Sequence, residues 1–409
     1  MDTTAQAVQL AEDVLSKKLG GRQKITEAKV LSGAGSSIVL RARLAASPFL
    51  QARTVIIKYA PDTADTLAAA SLVREIIAYQ FTTSLPEEVR PGPMVYAFDV
   101  DNRLVVISDS GEARTYAELL EQARGEERIG ILRALGQAVG RMHVVTTTHE
   151  DEFEVLMARM VKKYPDSTSA QAMKDLLPVL AVRDGLGLLE QSGLAIPERV
   201  HEIVGTATER LQNSAARAFT PLDLAPDNII YSRGTHFLDY EWASFRDVVF
   251  DIAGIACGFP QYLFSRPLSD EETDTVISAW IGEISGTWPR AKDEVYISRR
   301  IASGMLAWAV GFLSFYAHGS MDEYFKVALA EGEFSTVTTD VFADIVAASD
   351  THLTHLVLAK LAGAWGSLLR FMVRSNNPAH AEVIPFVEEV AGRIHQLVAA
   401  HSGPVETAD

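Results

Sequence analysis

The stretch FTPLDLAPDNIIYSRGTHFLDYEWASF, residues 219 to 245, places Asp223, Asn228 and Asp239 around two short β-prone runs. Those runs, Asn228 to Tyr231 and His236 to Asp239, are separated by Ser232, Arg233, Gly234 and Thr235, the length and composition of a hairpin loop. A four-residue loop sets Tyr231 opposite His236 and Asn228 opposite Asp239, with about 5 Å between their Cβ atoms. An amide and a carboxylate then converge at the open end. Mg²⁺ takes hard oxygen ligands and often only one or two from protein, so Asn228 with Asp239 is a candidate metal pair. Asp223, in the Pro-containing loop five residues before Asn228, is the candidate base: a carboxylate there can accept a hydroxyl proton during phosphoryl transfer.

Working toward the N-terminus, the first hundred residues read as strands. VLSGAGSSIVLRARL (30 to 44) has two arms around a Gly-Ser tip, and TVIIKYA (54 to 60) follows as a third strand. Residues 63 to 83 carry Leu67, Leu72, Ile76 and Tyr79 near helical spacing. PMVYAFDV and RLVVIS, joined by Asp101-Asn102, make a second hairpin. The expectation is five strands and one main helix. Lys58, apolar on both sides, needs a partner, and Glu75 on the following helix can supply a carboxylate that holds its ammonium for nucleotide phosphates. The tip containing Gly33, Gly35 and Ser36 can cover phosphates with backbone N–H groups.

Beyond Gly111 helical patterns dominate: about 114 to 124, 128 to 147, 151 to 164, 168 to 190, 197 to 218, 270 to 284, 290 to 318, 322 to 331, 336 to 374 in pieces, and 379 to 401. The fold class is therefore α+β with two lobes. The small lobe is residues 1–109, and the helical lobe is residues 110–409 with the 219–245 loop and acceptor-binding helices from about 260 to 401.

The chain has 409 residues, 48% of them hydrophobic and 22% charged, which suits a folded protein with a large core. Net charge is −16, which argues against a broad grip on nucleic-acid phosphates or an anionic membrane. Cys257 is the one cysteine, so neither an internal disulfide nor a zinc cluster is available, and a cytoplasmic location is expected. MDTTAQAVQLAEDVL has no signal-peptide pattern, and Ile301 to Ala317, broken by Ser and Gly, reads as a core helix too short to span a membrane.

The ordered set Lys58, Glu75, Asp223, Asn228, Asp239 resembles the protein-kinase-like fold of the aminoglycoside phosphotransferase family, which includes choline and other small-molecule kinases. The resemblance covers most of the chain. It implies a Lys58–Glu75 pair, Asp223 facing the acceptor hydroxyl, Asn228 and Asp239 on magnesium, and ATP or GTP as phosphate donor. LVVISDSGEARTYAEL (104 to 119) resembles the inter-lobe hinge, which implies a purine contact at Ser108, Asp109 and Ser110. LGQAVGRMH (135 to 143) resembles the helix supporting the catalytic loop, with His143 structural. FRDVVFDIA (245 to 253) resembles the segment after the metal site, with Asp251 capping a helix. The family's loop opens His-Gly-Asp, where this chain has Pro221-Leu222-Asp223.

The implied activity is Mg-dependent transfer of the γ-phosphate of ATP or GTP to a hydroxyl of a small molecule such as an aminoglycoside, amino sugar or amino alcohol. Pro221-Leu222 motivates an alternative, a catalytically silent kinase-like module that binds a nucleotide or metabolite and regulates. A third reading keeps the fold and transfers a nucleotidyl group. SDEETD (269 to 274) and MDEY (321 to 324) can attract a cationic acceptor or serve as solvated helix starts. Glu241 is a weak candidate for the metal sphere. His352 and His355 lack a third ligand and read as ordinary histidines. There is no G-x-S-x-G and no H-E-x-x-H, so hydrolase readings have no motif.

Overall fold

The computed structural model describes residues 3–31, 37–61, 66–331, 340–347 and 351–401. The chain opens with α1 (Thr3–Leu19), β1 (Ile25–Val30), β2 (Ile38–Leu44), β3 (Thr54–Tyr59), α2 (Thr66–Ser84), β4 (Val95–Asp99) and β5 (Leu104–Ser108). There follow β6 (Arg114–Thr115), α3 (Tyr116–Gln122), α4 (Gly125–Thr146), α5 (Glu150–Lys163), α6 (Thr168–Gln191) and α7 (Glu198–Gln212). The loop region holds β7 (Arg217–Thr220), β8 (Ile229–Tyr231), β9 (Thr235–Phe237), β10 (Ser244–Asp247) and α8 (Val249–Ala256). The remainder is helical: α9 (Asp270–Ile284), α10 (Glu294–Ala317), α11 (Met321–Glu331), α12 (Val341–Ala347), α13 (Thr351–Arg374) and α14 (Ile384–His401).

Two compact units form. The first comprises Met1–Arg114, Asp151–Gln171 and Ile230–Ala243, and the second Thr115–Glu150, Ala172–Ile229 and Ser244–Asp409. This differs from the contiguous division at 109/110. Side chains far apart in sequence cause the difference: Phe153 meets Phe81 edge-on at 5.6 Å, and Gln171 accepts a 2.7 Å hydrogen bond from Arg74.

The first unit is built on an antiparallel sheet ordered β1-β2-β3-β5-β4, the five strands expected. Alternation decides its faces. Val55, Ile57 and Tyr59 of β3 are buried in a core with Leu40, Ala42, Leu104 and Val106, while Lys58 projects to the opposite face. The helix α1, for which the sequence reading had no place, covers the core face with Ala7, Ala11 and Leu15, spaced one helical turn apart. Glu12 anchors it: one carboxylate oxygen accepts from the Ile25 N–H at 2.7 Å and the other pairs with Lys24 at 3.0 Å.

In the second unit α4 packs along α9, and Gly136 permits the approach, since a Cβ there would stand 2.3 Å from the Val276 carbonyl oxygen. The strands β7 and β10 pair antiparallel, with Thr220 opposite Ser244 and Arg217 opposite Asp247. The helical run expected to reach 218 therefore ends at Gln212, and the chain turns into β7. The helix α10 has 24 residues, long and apolar enough to span a bilayer, contrary to the expectation of too short a segment; 78% of its apolar window is buried inside the fold, as a core helix requires. Thr354–Arg374 also meets the length and composition test, with 39% buried.

Candidate active site

Lys58 lies on β3, antiparallel between Val39 of β2 and Val105 of β5, so its backbone is fixed from both sides. Its ammonium reaches Glu75 Oε2 of α2 at 2.8 Å and Asp239 Oδ1 at 3.0 Å. The Glu75 side chain is 3% exposed, Lys58 23% and Asp239 35%, so the interior end of the clamp is dry and Asp239 faces outward. Burial alone would lower the Lys58 pKa; Glu75, Asp239 and Glu241 together carry it above its ordinary value. Burial pushes the Glu75 carboxyl up, Lys58 pulls it down and Asp239 and Glu241 add to the push, which together leave it raised to about 7. Three carboxylates thus act on one ammonium. That surplus of hard oxygen charge is what a divalent cation beside Asp239 would neutralise.

Asp239 is a left-handed residue, φ 56°, not the strand residue the sequence suggested. β8 and β9 are joined by three residues, 232–234, with the Ser232 N–H donating to the Gly234 carbonyl at 3.1 Å. This closes the turn one residue earlier than expected. Thr235 joins the strand, and Asn228 and Asp239 fall outside the ladder, so their predicted pairing across it does not form. Left-handed backbone costs a non-glycine residue about 1–2 kcal/mol and persists where its surroundings hold it. Here Tyr79 hydrogen-bonds the Asp239 backbone, and its ring meets Tyr240 edge-on at 5.0 Å. Gly92 leaves room for that arrangement, since a Cβ there would lie 2.4 Å from Tyr240 Oη and 2.5 Å from the Phe237 carbonyl oxygen.

Arg74, fully buried beside Glu75, is a supporting residue the sequence reading missed. Its guanidinium donates to Gln171 Oε1 at 2.7 Å, the Gln171 carbonyl at 2.9 Å and the Ala243 carbonyl at 3.1 Å. It ties the end of the Asp239 segment to the helix carrying Glu75. The signal available was an arginine inside an otherwise apolar helical pattern, SLVREIIAY.

In the second unit Asp223 and Asn228 share one loop. The Asn228 N–H donates to the Ala225 carbonyl at 2.9 Å, closing a turn with Pro226 and Asp227 at its centre, the residue types such a turn favours. The Pro226 carbonyl accepts from the Ala117 N–H of α3 at 2.9 Å. Asp223 Oδ1 accepts from the Ala225 N–H at 3.3 Å, and Oδ2 lies 3.5 Å from Asn228 Nδ2. Leu222, immediately before, has φ 65°, a conformation that glycine adopts most readily, held here by a buried leucine side chain.

Elsewhere in this unit His143 and Asp247 make buried polar contacts. Trp280 Nε1 donates to His143 Nδ1 at 3.1 Å, so the neutral ring carries its proton on Nε2 and donates it to Asp251 Oδ2, also at 3.1 Å. Asp251 is therefore bound to His143 and does not cap α8. The capping contact belongs to Asp247, whose Oδ1 accepts from the Val249 N–H at 2.9 Å and whose Oδ2 takes Ser214 and Arg300.

At the expected purine contact, the Ser108 N–H donates to the Met94 carbonyl at 2.8 Å, and the Asp109 carboxylate is occupied by Arg41 at 3.0 Å and by the Gly111 N–H at 2.9 Å. Ser110 follows them in a short non-helical stretch. Gly33, Gly35 and Ser36 lie outside the described residues. The SDEETD carboxylates serve the helix: Ser269 and Glu272 form a reciprocal capping box, and Asp270 and Asp274 pair with Arg370 and Arg374. Among the described residues no group of three or more His, Cys, Asp or Glu forms a metal cluster.

No family model and no curated protein matches the chain. Among solved structures it is similar to a choline/ethanolamine kinase family protein from Mesorhizobium loti, at 16% identity over 89% of this chain and 99% of that one, with a TM-score of 0.44. It is also similar to choline kinase LicA from Streptococcus pneumoniae, at 14% identity over 88% and 98%, with a TM-score of 0.44. An aminoglycoside phosphotransferase, APH(4)-Ia, solved as a complex with ADP and hygromycin B, matches at 13% identity over 86% and 98%, with a TM-score of 0.39.

Proposed function

We propose that the chain is a Mg²⁺-dependent phosphotransferase moving the γ-phosphate of ATP or GTP to a hydroxyl of a small molecule. The observation that carries this reading is the clamp on Lys58, an ammonium held at 2.8 Å by a buried helix carboxylate and at 3.0 Å by the more exposed Asp239. In that grip the ammonium keeps its charge and one position, which is what orienting nucleotide α- and β-phosphates requires. Lys58 engages one oxygen of Asp239, whose other carboxylate oxygen is a hard donor suited to Mg²⁺; the amide oxygen of Asn228 is a donor of the same kind. Bound there, the metal would neutralise phosphate charge. Asp223, which contacts Ala225 and Asn228, is a carboxylate that can orient an acceptor hydroxyl and take its proton.

The test is calorimetric titration with ATP and separately GTP, with and without Mg²⁺, on wild type and Asp239→Ala. Metal-dependent binding lost in the variant is expected, followed by ADP or GDP release with a panel of aminoglycosides, amino sugars and amino alcohols. Binding of neither nucleotide would overturn the reading. Normal binding with no release from any acceptor would favour the silent regulator.

A further inference from the structure

Beneath the start of α8, inside the second unit, lies a cavity of about 290 Å³. Its walls are apolar and aromatic: Trp280 and Ile284 from α9, Trp288 from the following turn, Tyr296 and Ile297 from α10, with Val249 opposite. The chain carries a net charge of −16, yet no aspartate or glutamate lines this space, and its charged lining groups are Arg290 and Arg300, the latter paired with the buried Asp247. The two guanidinium groups bracket Tyr296, Arg290 at 3.9 Å and Arg300 at 5.5 Å from the ring centroid. Arg300 is further oriented by the Tyr296 hydroxyl at 2.7 Å. Thr287, Pro289 and Arg290 are exposed, which puts Arg290 at the mouth and the tryptophan rings within.

A small apolar chamber with one convergent polar end binds one small amphipathic molecule. Its size admits a single aromatic ring, and flat aromatic walls favour such a ring over a flexible chain. The polar end is cationic, and guanidinium is the side chain best matched to a carboxylate. We propose that this cavity is a binding site for a small aromatic carboxylate, its ring among Trp280, Trp288 and Tyr296 and its carboxylate at Arg290. The site is separate from Asp223 and Asn228 and stands whether or not the chain transfers phosphate.

The test uses phenylacetate, benzyl alcohol and benzylamine as probes of one ring with three charges. Each is titrated into the full-length protein, and binding is read by calorimetry and by tryptophan fluorescence, in wild type and in Trp288→Phe. Phenylacetate is expected to bind saturably, about tenfold tighter than the alcohol and more so than the amine. Most of its fluorescence change should vanish in Trp288→Phe. Ala291→Phe fills the cavity and should abolish binding. Because that variant can also disturb the core, Arg290→Glu at the exposed mouth provides a second reading: it should weaken phenylacetate several-fold and leave benzyl alcohol unchanged. Equal binding of all three probes, no saturable signal up to about 10 mM, or unaltered phenylacetate binding in Arg290→Glu together with a folded Ala291→Phe, would overturn the proposal.

Discussion

Replacing Arg74 by methionine keeps the apolar stem of a fully buried side chain and removes its guanidinium. Three acceptors lose their donor: Gln171 Oε1, the Gln171 carbonyl and the Ala243 carbonyl. At about 1.5 kcal/mol for each lost hydrogen bond to the charged guanidinium the loss is about 4–5 kcal/mol. Removing a buried cation returns part of its desolvation cost, about 1–2 kcal/mol, which leaves a net destabilisation of about 3 kcal/mol. The first unit has roughly 150 residues, for which the entropy of unfolding converts that loss to about 10 °C in Tm if the unit melts alone. If all 409 residues melt together the same loss gives about 4 °C. Differential scanning calorimetry therefore measures both the energy and the cooperative unit. Arg74→Lys restores the charge but not the fork that spans three acceptors, and is expected to recover less than half of the loss. A Tm within about 1 °C of wild type in Arg74→Met, or full rescue by lysine, would refute the assignment.

Asp223→Ala should lower turnover by at least about a hundredfold while Mg-nucleotide binding persists, and an unchanged rate with an identified acceptor would remove Asp223 from the chemistry. Gly92→Ala drives a methyl against Tyr240 Oη and the Phe237 carbonyl and should cost about 2–3 kcal/mol, read as a lower urea midpoint; an unmoved midpoint contradicts the packing around Asp239. Burial holds the His380 pKa below its usual 6.5, with the Met372 carbonyl opposing, so the imidazole is neutral in the fold. Its contribution is complete above pH 6.5 and is lost as pH falls from there toward the depressed folded value, by up to about 1.4 kcal/mol per pH unit. His380→Gln should flatten the fall of the urea midpoint between pH 7.5 and 5.5, and equal slopes in the two proteins would count against a neutral buried imidazole.

Much of the architecture was written in local pattern. The alternation TVIIKY put Lys58 and the core residues of β3 on opposite faces, and a helical repeat put Glu75 on the helix that follows; both depend on neighbours within a few residues. The helix α1 escaped because its buried stripe is mostly alanine, too weakly apolar to stand out among QLAEDVLSKK. Asp223 and Asn228 were placed in one loop by the Pro-containing turn between them, which local chemistry also dictates. What sequence alone did not decide were contacts bridging large separations. Lys58 meets Asp239 across 181 residues, Arg74 meets Ala243 across 169, and His143 meets Asp251 across 108. The same distinction explains the misassigned cap: Asp247 and Asp251 are equally plausible at the start of α8, and only the packing of His143 against Trp280 draws Asp251 away from the helix end. Asp239 shows it most plainly. Its residue type predicts a strand end, whereas the Lys58 ammonium, the Tyr79 hydroxyl and the space left by Gly92 hold it in a left-handed conformation that no pattern along the chain encodes, because the energy that sustains it comes from groups brought together by folding.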